Sequence, residues 1–462
     1  MASKPVPRRS GRLLQESSKT NDMEFLPTEL LLIVLKFVPR KELVKCRHVC
    51  RNWNTVITIL LKSHLPEVKI GIGYTEAEAK IEKHNLKQLR KTLDSQKSAE
   101  NFPFSKFFFG RLLDYAEVEK LWQHHGAIME HVTIDCHNNP EFIEVDPEFE
   151  TDQLLSFFKY CGATLTTLRI NLPRTVIESD ELFPKNSKKN QPHSFPKLQK
   201  LSIMSKLMHN FCEMSYTQIE LGFWKHFLST CPQLKELTLD FDLDPEQMTS
   251  MLPMFTAIKG TVANSLTLLK INCQLSNEEL QSLAKLGNQL NLEAFHLTRF
   301  HCTAKANKLQ AFLKTQSSTL KKLKLIYDCY YVADEIEFES LDPPDFGDCK
   351  LPEMTKLEKL TISGTSDGPF RHLRAPKLRV YNIFVMDVAT KDEIEGMLNF
   401  VLPLNKEGRP QDRGHKLEVN IYNLPRGLSD SDAEARVAMC FPEATFFTGS
   451  KRLGDNYYYG FE

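Results

Sequence analysis

The chain has 462 residues, 41% of them hydrophobic and 26% charged, a composition that excludes disorder throughout. That length suits either about two to four domains or one long repeat array. Lys plus Arg and Asp plus Glu both number 59, so the global charge calls for neither nucleic acid nor an anionic membrane, and only a local patch stays open.

Eleven cysteines lie singly, with no CxxC pair, which argues against a secreted disulfide framework and for a reducing compartment, cytoplasm or nucleus. Residues 1–22 are polar, with Lys4, Arg8, Arg9 and Arg12 among Ser, Thr, Asn and Gln. Such a segment buries too little apolar surface to offset its ordering entropy, so a solvated, disordered tail is expected, with a weak nuclear address as the alternative. The longest apolar run, Leu30–Leu35, is too short for a bilayer, which needs about 20 residues. Glu24 and Glu29 before it speak against a signal peptide. A soluble protein is expected.

From Phe25 to Ile57 the character changes. Pro27 suits the start of a helix, where its missing N–H costs nothing. Eight of the ten residues from Glu29 to Val38 are apolar. Leu30, Ile33, Val34 and Phe37 share one helical face, and Leu31, Leu35 and Val38 share another. A helix apolar nearly all round leaves one face in water in a small domain, so one face needs a core and the other a partner. Pro39 closes this helix. Leu43, Cys46, Val49 and Cys50 mark a second helical stripe, and Trp53, Ile57 and Leu60 a third.

These residues resemble the F-box. The segment Phe25-Leu26-Pro27-Thr28-Glu29-Leu30, continued by Leu31 to Leu35, then Leu43, then Val49-Cys50-Arg51-Asn52-Trp53, is similar to its Leu-Pro-x-Glu-Leu opening, helix, Pro-containing turn and Val-Cys-basic-x-Trp ending. The resemblance implies docking onto the Skp-type adaptor of a cullin-based (SCF) ubiquitin ligase. Carried over, it sets Leu26 and Pro27 at the adaptor surface and Glu29, Leu30, Ile33 and Leu35 on the docking or inner faces. It leaves Val49, Cys50 and Trp53 to close the small core or its adaptor-facing edge. Ile33, Val49 and Trp53 fit a purely structural core role equally well.

Beyond residue 65 a loose pattern, apolar-x-x-apolar-x-apolar, recurs. It runs from Met129/Val132/Ile134 through Leu165/Leu168/Ile170, Leu198/Leu201/Ile203, Leu234/Leu237/Leu239, Leu266/Leu269/Ile271, Leu292/Phe295/Leu297, Leu320/Leu323/Leu325, Leu357/Leu360/Ile362 and Leu378/Tyr381/Ile383 to a degenerate Leu417/Val419/Ile421. The copies lie about 32 residues apart on average, beyond the roughly 20–29 of leucine-rich repeats. Each ends with strand period. Helices are expected over 152–160, 218–228, 245–257, 278–286, 308–315 and 392–401, with a capping box from Ser276 to Glu279 and a helix stop at Gly162. Val68–Ile72 and Phe107–Leu112 are expected as atypical first strands.

The alternation resembles an irregular leucine-rich-repeat solenoid, which implies an α/β array with parallel strands on the concave face and helices outside, mostly without the usual Asn or Cys ladder. The domain reading is then a tail over 1–22, the F-box over 23–64, the array over 65–455 and an aromatic C-terminal tail over 456–462. That tail serves either as a partner hook or as a cap for the open end. Residues 173–194, 341–350 and 405–415 interrupt the array as loops, functional or disordered.

No phosphate-binding Gly loop, dinucleotide fingerprint, HExxH or nucleophile elbow is present. Cys46, His48 and Cys50 point in different directions on a helix, and His124, His125, Cys136 and His137 read as ordinary surface residues, so no metal and no cofactor is expected. The acidic run from Glu141 to Asp152 reads as a solvated loop entering a helix.

The expected function is a non-catalytic substrate-recognition subunit of an SCF-type ligase. Its expected partners are a Skp-type adaptor, through it a cullin, and an unidentified target protein, with no nucleic acid and no membrane. A scaffold using the same array without ubiquitination is the first alternative, and an enzyme with a site hidden in the array the second.

Overall fold

The computed structural model describes residues 26–64, 67–71, 76–95, 104–110, 115–135, 151–171, 194–205, 221–241, 251–273, 275–300, 306–327, 352–363, 374–384 and 418–422. They fall into two compact units: residues 26–64 with 104–105, and residues 67–95 with those from 106 onward.

The N-terminal unit is three helices, α1 (Thr28–Leu35), α2 (Arg40–Cys46) and α3 (Arg51–His64). Pro27 stands at the N-cap of α1, one residue earlier than its expected place, and its carbonyl accepts the Leu31 N–H. The helix ends at Leu35, and two tight turns carry the chain to Pro39, the N-cap of α2. Leu31 and Leu35 of α1, Leu43 of α2, and Trp53, Val56, Ile57, Leu60 and Leu61 of α3 form one core, with Leu32, Val38, Cys46 and Cys50 at its margin.

The second unit is built from strands β1 (Val68–Ile70), β2 (Lys106–Phe109), β3 (His131–Asp135), β4 (Thr167–Asn171), β5 (Lys200–Ser205), β6 (Glu236–Phe241), β7 (Leu268–Asn272), β8 (Ala294–Phe300), β9 (Lys322–Tyr327), β10 (Lys359–Ser363), β11 (Val380–Phe384) and β12 (Glu418–Tyr422). All twelve make a single sheet in sequence order, every neighbouring pair parallel. Helices lie between strands: α4 (Glu76–Asp94), α5 (Tyr115–His125), α6 (Thr151–Cys161), α7 (Leu221–Ser229), α8 (Leu252–Gly260), α9 (Asn277–Gly287) and α10 (Ala306–Gln316). The arrangement is solenoid-like, each helix returning the chain to the next parallel strand. Among the described residues no helix is long and apolar enough to cross a membrane.

The apolar pattern sets the register. Leu168, Leu201, Leu237, Leu269, Phe295 and Leu323 are successive register partners, and so are Ile170, Ile203, Leu239, Ile271 and Leu297. All are buried. Because strand side chains alternate between faces, these rows share the face that meets the helices. Phe109 packs edge-on to Trp122 of α5, Trp122 against Phe157 of α6, and Phe295 of β8 against Phe312 of α10. At Gly162, the turn after α6, a Cβ would lie 2.6 Å from the Phe158 carbonyl oxygen, so the close return towards β4 needs glycine.

The Ser276–Glu279 capping box forms as expected and reaches further. Glu279, although buried, accepts the Met251 N–H at the start of α8 as well as the Ser276 N–H at 2.7 Å. Gln316, at the end of α10 and wholly buried, accepts the Leu292 N–H at 3.0 Å and donates to the Gly287 carbonyl at 2.7 Å. It thereby ties the end of α9 to the entry of β8. The expected helix at 392–401, the loops at 173–193, 341–350 and 405–415, and the tails lie outside the described residues.

Removing the Gln316 amide strands the buried Leu292 N–H, at a cost of about 1–3 kcal/mol, and leaves the Gly287 carbonyl with only the Leu290 N–H at 3.2 Å. Gln316→Leu is therefore expected to lower the urea midpoint of the full chain and Gln281→Leu, on the exposed face of α9, to leave it unchanged.

Candidate docking surfaces

The first surface belongs to α1. Leu30, Ile33, Val34 and Phe37 recur at i, i+3, i+4 and i+7 and so share one side of the helix and its exit turn. None is buried: the first three are about half exposed and Phe37 is 84% exposed. Val44 of α2, Val49 before α3 and Ile59 on α3 are exposed as well. Burying one such side chain is worth about 1.5–3 kcal/mol, so a stripe of them left in water is an unmet demand for a partner.

Of the residues named from the sequence, Pro27, Glu29, Leu30, Ile33 and Val49 are exposed, and Leu26 and Cys50 intermediate. Leu35 and Trp53 lie on the inner side of the two alternatives: both are core, because Leu35 follows Leu31 by one turn and Trp53 sits on the α3 face beneath them. Val49, placed in the second stripe, faces outward from the turn between α2 and α3, which α2 ends too early to include. Cys50 precedes α3 and its Sγ accepts the Trp53 N–H at 3.5 Å, a weak version of the cap that Ser or Asp gives. Val34, Phe37 and Val44 were not among the candidates, though Val34 and Phe37 complete the stripe that Leu30 and Ile33 begin.

The second surface is the sheet face turned away from the helices. Polar side chains pair across it from strand to strand: Asn171 donates to Asp135 at 2.8 Å, Asn272 to Asp240, Thr298 to Asn272 at 2.6 Å, Asn382 to Thr361 at 3.1 Å and Asn420 to Asn382 at 3.0 Å. The sequence reading missed these pairs, although an Asp or Asn directly after Ile134, Ile170, Leu239 and Ile271 was the signal. Lys200 pairs with Glu236 at 2.9 Å.

On β7, β8 and β9, Lys270, His296 and Lys324 are register partners. Partial burial first, and the neighbouring Lys270 and Lys359 second, push the Lys324 ammonium down to about 8. Burial, then Lys270, Lys324, Lys322 and Lys359, hold His296 down to about 3, so it is neutral at pH 7. Lys270 is lowered by burial, against the pull of Glu236.

Among the described residues, the histidines of the second predicted cluster have partners of their own. His124 Nδ1 meets the Lys120 carbonyl at 2.8 Å, His125 Nε2 meets Asp94 at 2.9 Å, and Cys136 and His137 lie outside the described residues. Among the described residues no three His, Cys, Asp or Glu side chains are placed to share a metal ion.

Residues 23–64 match the F-box domain family. An F-box domain implies binding to an SCF-type adaptor, and the outward stripe of α1 lies within the matched residues. Among curated proteins none matches the chain significantly in sequence. Among solved structures, the crystal structure of the Rad7 and Elc1 complex in yeast is similar at 14% identity, covering 63% of this chain and 67% of that one, with a TM-score of 0.36. At that score the likeness fixes neither fold nor role.

The two faces of α1 predict opposite consequences. Leu35→Ala and Trp53→Ala are expected to cost about 2–5 kcal/mol, whereas Ile33→Ala and Phe37→Ala change stability by no more than about 0.5 kcal/mol. Hydrogen exchange of the α1–α3 amides in the full chain measures both.

Proposed function

We propose that this chain is the substrate-recognition subunit of an SCF-type (Skp–cullin–F-box) ubiquitin ligase. The observation that carries the reading is the exposed stripe Leu30, Ile33, Val34 and Phe37 inside a segment matching the F-box domain. In this reading Leu26, Pro27, Glu29, Leu30, Ile33 and Val49 contact the Skp-type adaptor together with Val34 and Phe37, while Leu35, Cys50 and Trp53 hold that face in shape. The sheet and helices act as an irregular leucine-rich-repeat solenoid, strands on its concave side, and this solenoid holds a target protein. The chain supplies position rather than chemistry. Keeping a target beside a ubiquitin-charged enzyme raises its effective concentration and makes transfer nearly intramolecular.

The test is co-purification of the tagged full chain from cells, beside Leu26→Ala/Pro27→Ala and Ile33→Asp/Phe37→Asp variants. Adaptor and cullin are expected with wild type and lost from both variants, and proteins that stay on the variants and accumulate when the chain is depleted are its targets. Recovery of the adaptor with the Ile33→Asp/Phe37→Asp variant would refute docking through this face. Retained partners whose lifetimes ignore depletion would favour a scaffold without ubiquitination.

A further inference from the structure

We propose that the outward face of α4 binds an acidic amphipathic helix of a partner protein, one carrying Glu or Asp along one line and an apolar residue beside it. The inference goes beyond the proposed function: α4 belongs to the second unit and lies outside the residues matched to the F-box family.

Helix α4 buries Leu86 and Leu93, which fixes the direction of its other side chains. Lys80, His84, Lys87 and Lys91 recur at i, i+4, i+7 and i+11, so they share one line on the side away from those leucines. All four are exposed. Glu78 and Glu82 lie on the far side of the helix from this line. Arg90, nearer the core, pairs with Glu117 at 2.7 Å, and Asp94 at the helix end meets His125 at 2.9 Å. Among the described residues no ion pair reaches Lys80, Lys87 or Lys91. Roughly a quarter turn round the helix runs a second, uncharged line of Ile81, Asn85, Gln88 and Thr92, all exposed. Ile81 is 60% exposed, the one large apolar side chain of the second unit left so far in water among the described residues.

This face asks for carboxylates and an apolar contact side by side. Lys80 and Lys87 stand about 10.5 Å apart along the axis, and Lys87 and Lys91 about 6 Å, which are the rises of seven and four residues on any α-helix. A second helix with acids at the same spacing therefore meets all three ammonium groups at once. An extended segment repeats about every 6.6 Å on one side and falls out of step with the first interval. An apolar side chain beside the acidic line covers Ile81, which ionic contact alone leaves in water. Two other anionic partners fit less well. A polybasic segment that holds a membrane surface carries about four to eight Lys or Arg, whereas this line has three lysines in a chain of zero net charge. Nucleic acid has no apolar surface for Ile81 outside its stacked bases, and so few phosphate contacts hold it weakly at physiological salt.

The probe is a fluorescein-labelled, alanine-based peptide of about 20 residues, long enough to be helical alone, with Glu at i, i+4, i+7 and i+11 and Leu on both flanks of that line. It is titrated with the full chain and read by anisotropy. Binding is expected at low salt and weakens about tenfold from about 50 to about 300 mM as the screening length shortens. Lys80→Glu/Lys87→Glu/Lys91→Glu is expected to abolish it. Lys80→Gln/Lys87→Gln/Lys91→Gln is expected to weaken it about tenfold and Ile81→Ser about fivefold, each with the helical circular dichroism and melting midpoint of the full chain kept. Lys285→Glu, on the exposed side of α9, is expected to leave binding intact. A peptide of the same composition with its Glu residues spread round the helix is expected to bind at least about fivefold more weakly. Absence of binding by wild type at about 50 mM salt would overturn the proposal, as would equal loss in Lys285→Glu or equal affinity for the spread-Glu peptide. Tighter binding of phosphatidylserine vesicles or of a single-stranded RNA through the same lysines would overturn it too, and would assign the face to that partner instead.

Discussion

The architecture of the second unit depends on one repeated demand: each parallel strand must hide two alternate side chains while its backbone bonds to the strands on either side. Strand N–H and carbonyl groups are satisfied by the neighbours in the ladder, so a strand is complete only when the next one is added. The apolar rows through Leu201, Leu237 and Leu269, and through Ile203, Leu239 and Ile271, fix that addition in register, since a slip of one residue would turn both rows to water. Everything on the opposite face inherits its position from this lock. The Asn–Asp pairs and the lysine row sit side by side because the leucines beneath them do.

The ties between helices follow the same nearest-neighbour logic. Gln316 joins the end of α9 to the entry of β8, and Glu279 joins the start of α8 to the cap of α9. Each is a buried polar group with a partner in the preceding repeat, so it specifies how one repeat sits on the next rather than adding to a common core. The N-terminal unit obeys another rule. Its short first helix is apolar on both sides, and the three-helix core can cover only the side bearing Leu31 and Leu35. What remains is a surface whose exposure makes sense if a partner completes it.

Much of this was legible in the sequence because it depends on periodicity. The two faces of α1 were separable from residue spacing, and every strand was marked by its apolar pattern, the first two as atypical members. The helix α4 was not anticipated: its residues are mostly charged, and Leu86 and Leu93 carry its buried side while Ile81 stays exposed. Of the helix expected over 245–257, α8 holds the part from Leu252, with Pro253 in the first turn, and 245–250 lies outside the described residues. Cross-strand side-chain partners were the least readable feature. Which lysine stands beside which depends on connection lengths that vary from repeat to repeat, so Lys270, His296, Lys324 and Lys359 are far apart in sequence and adjacent only in register. The docking residues were readable as a group but not by face, since core and partner surfaces draw on the same apolar residue types, and Trp53 looks alike in either place.

The central claim is that α1 presents its outer stripe to an adaptor while the solenoid stays free for a second protein. Hydrogen–deuterium exchange of the full chain with and without a purified Skp-type adaptor tests it directly. The account predicts slower exchange over residues 28–49, with the strand amides of β3–β10 unchanged. Protection that appears in the sheet and spares α1 would contradict it.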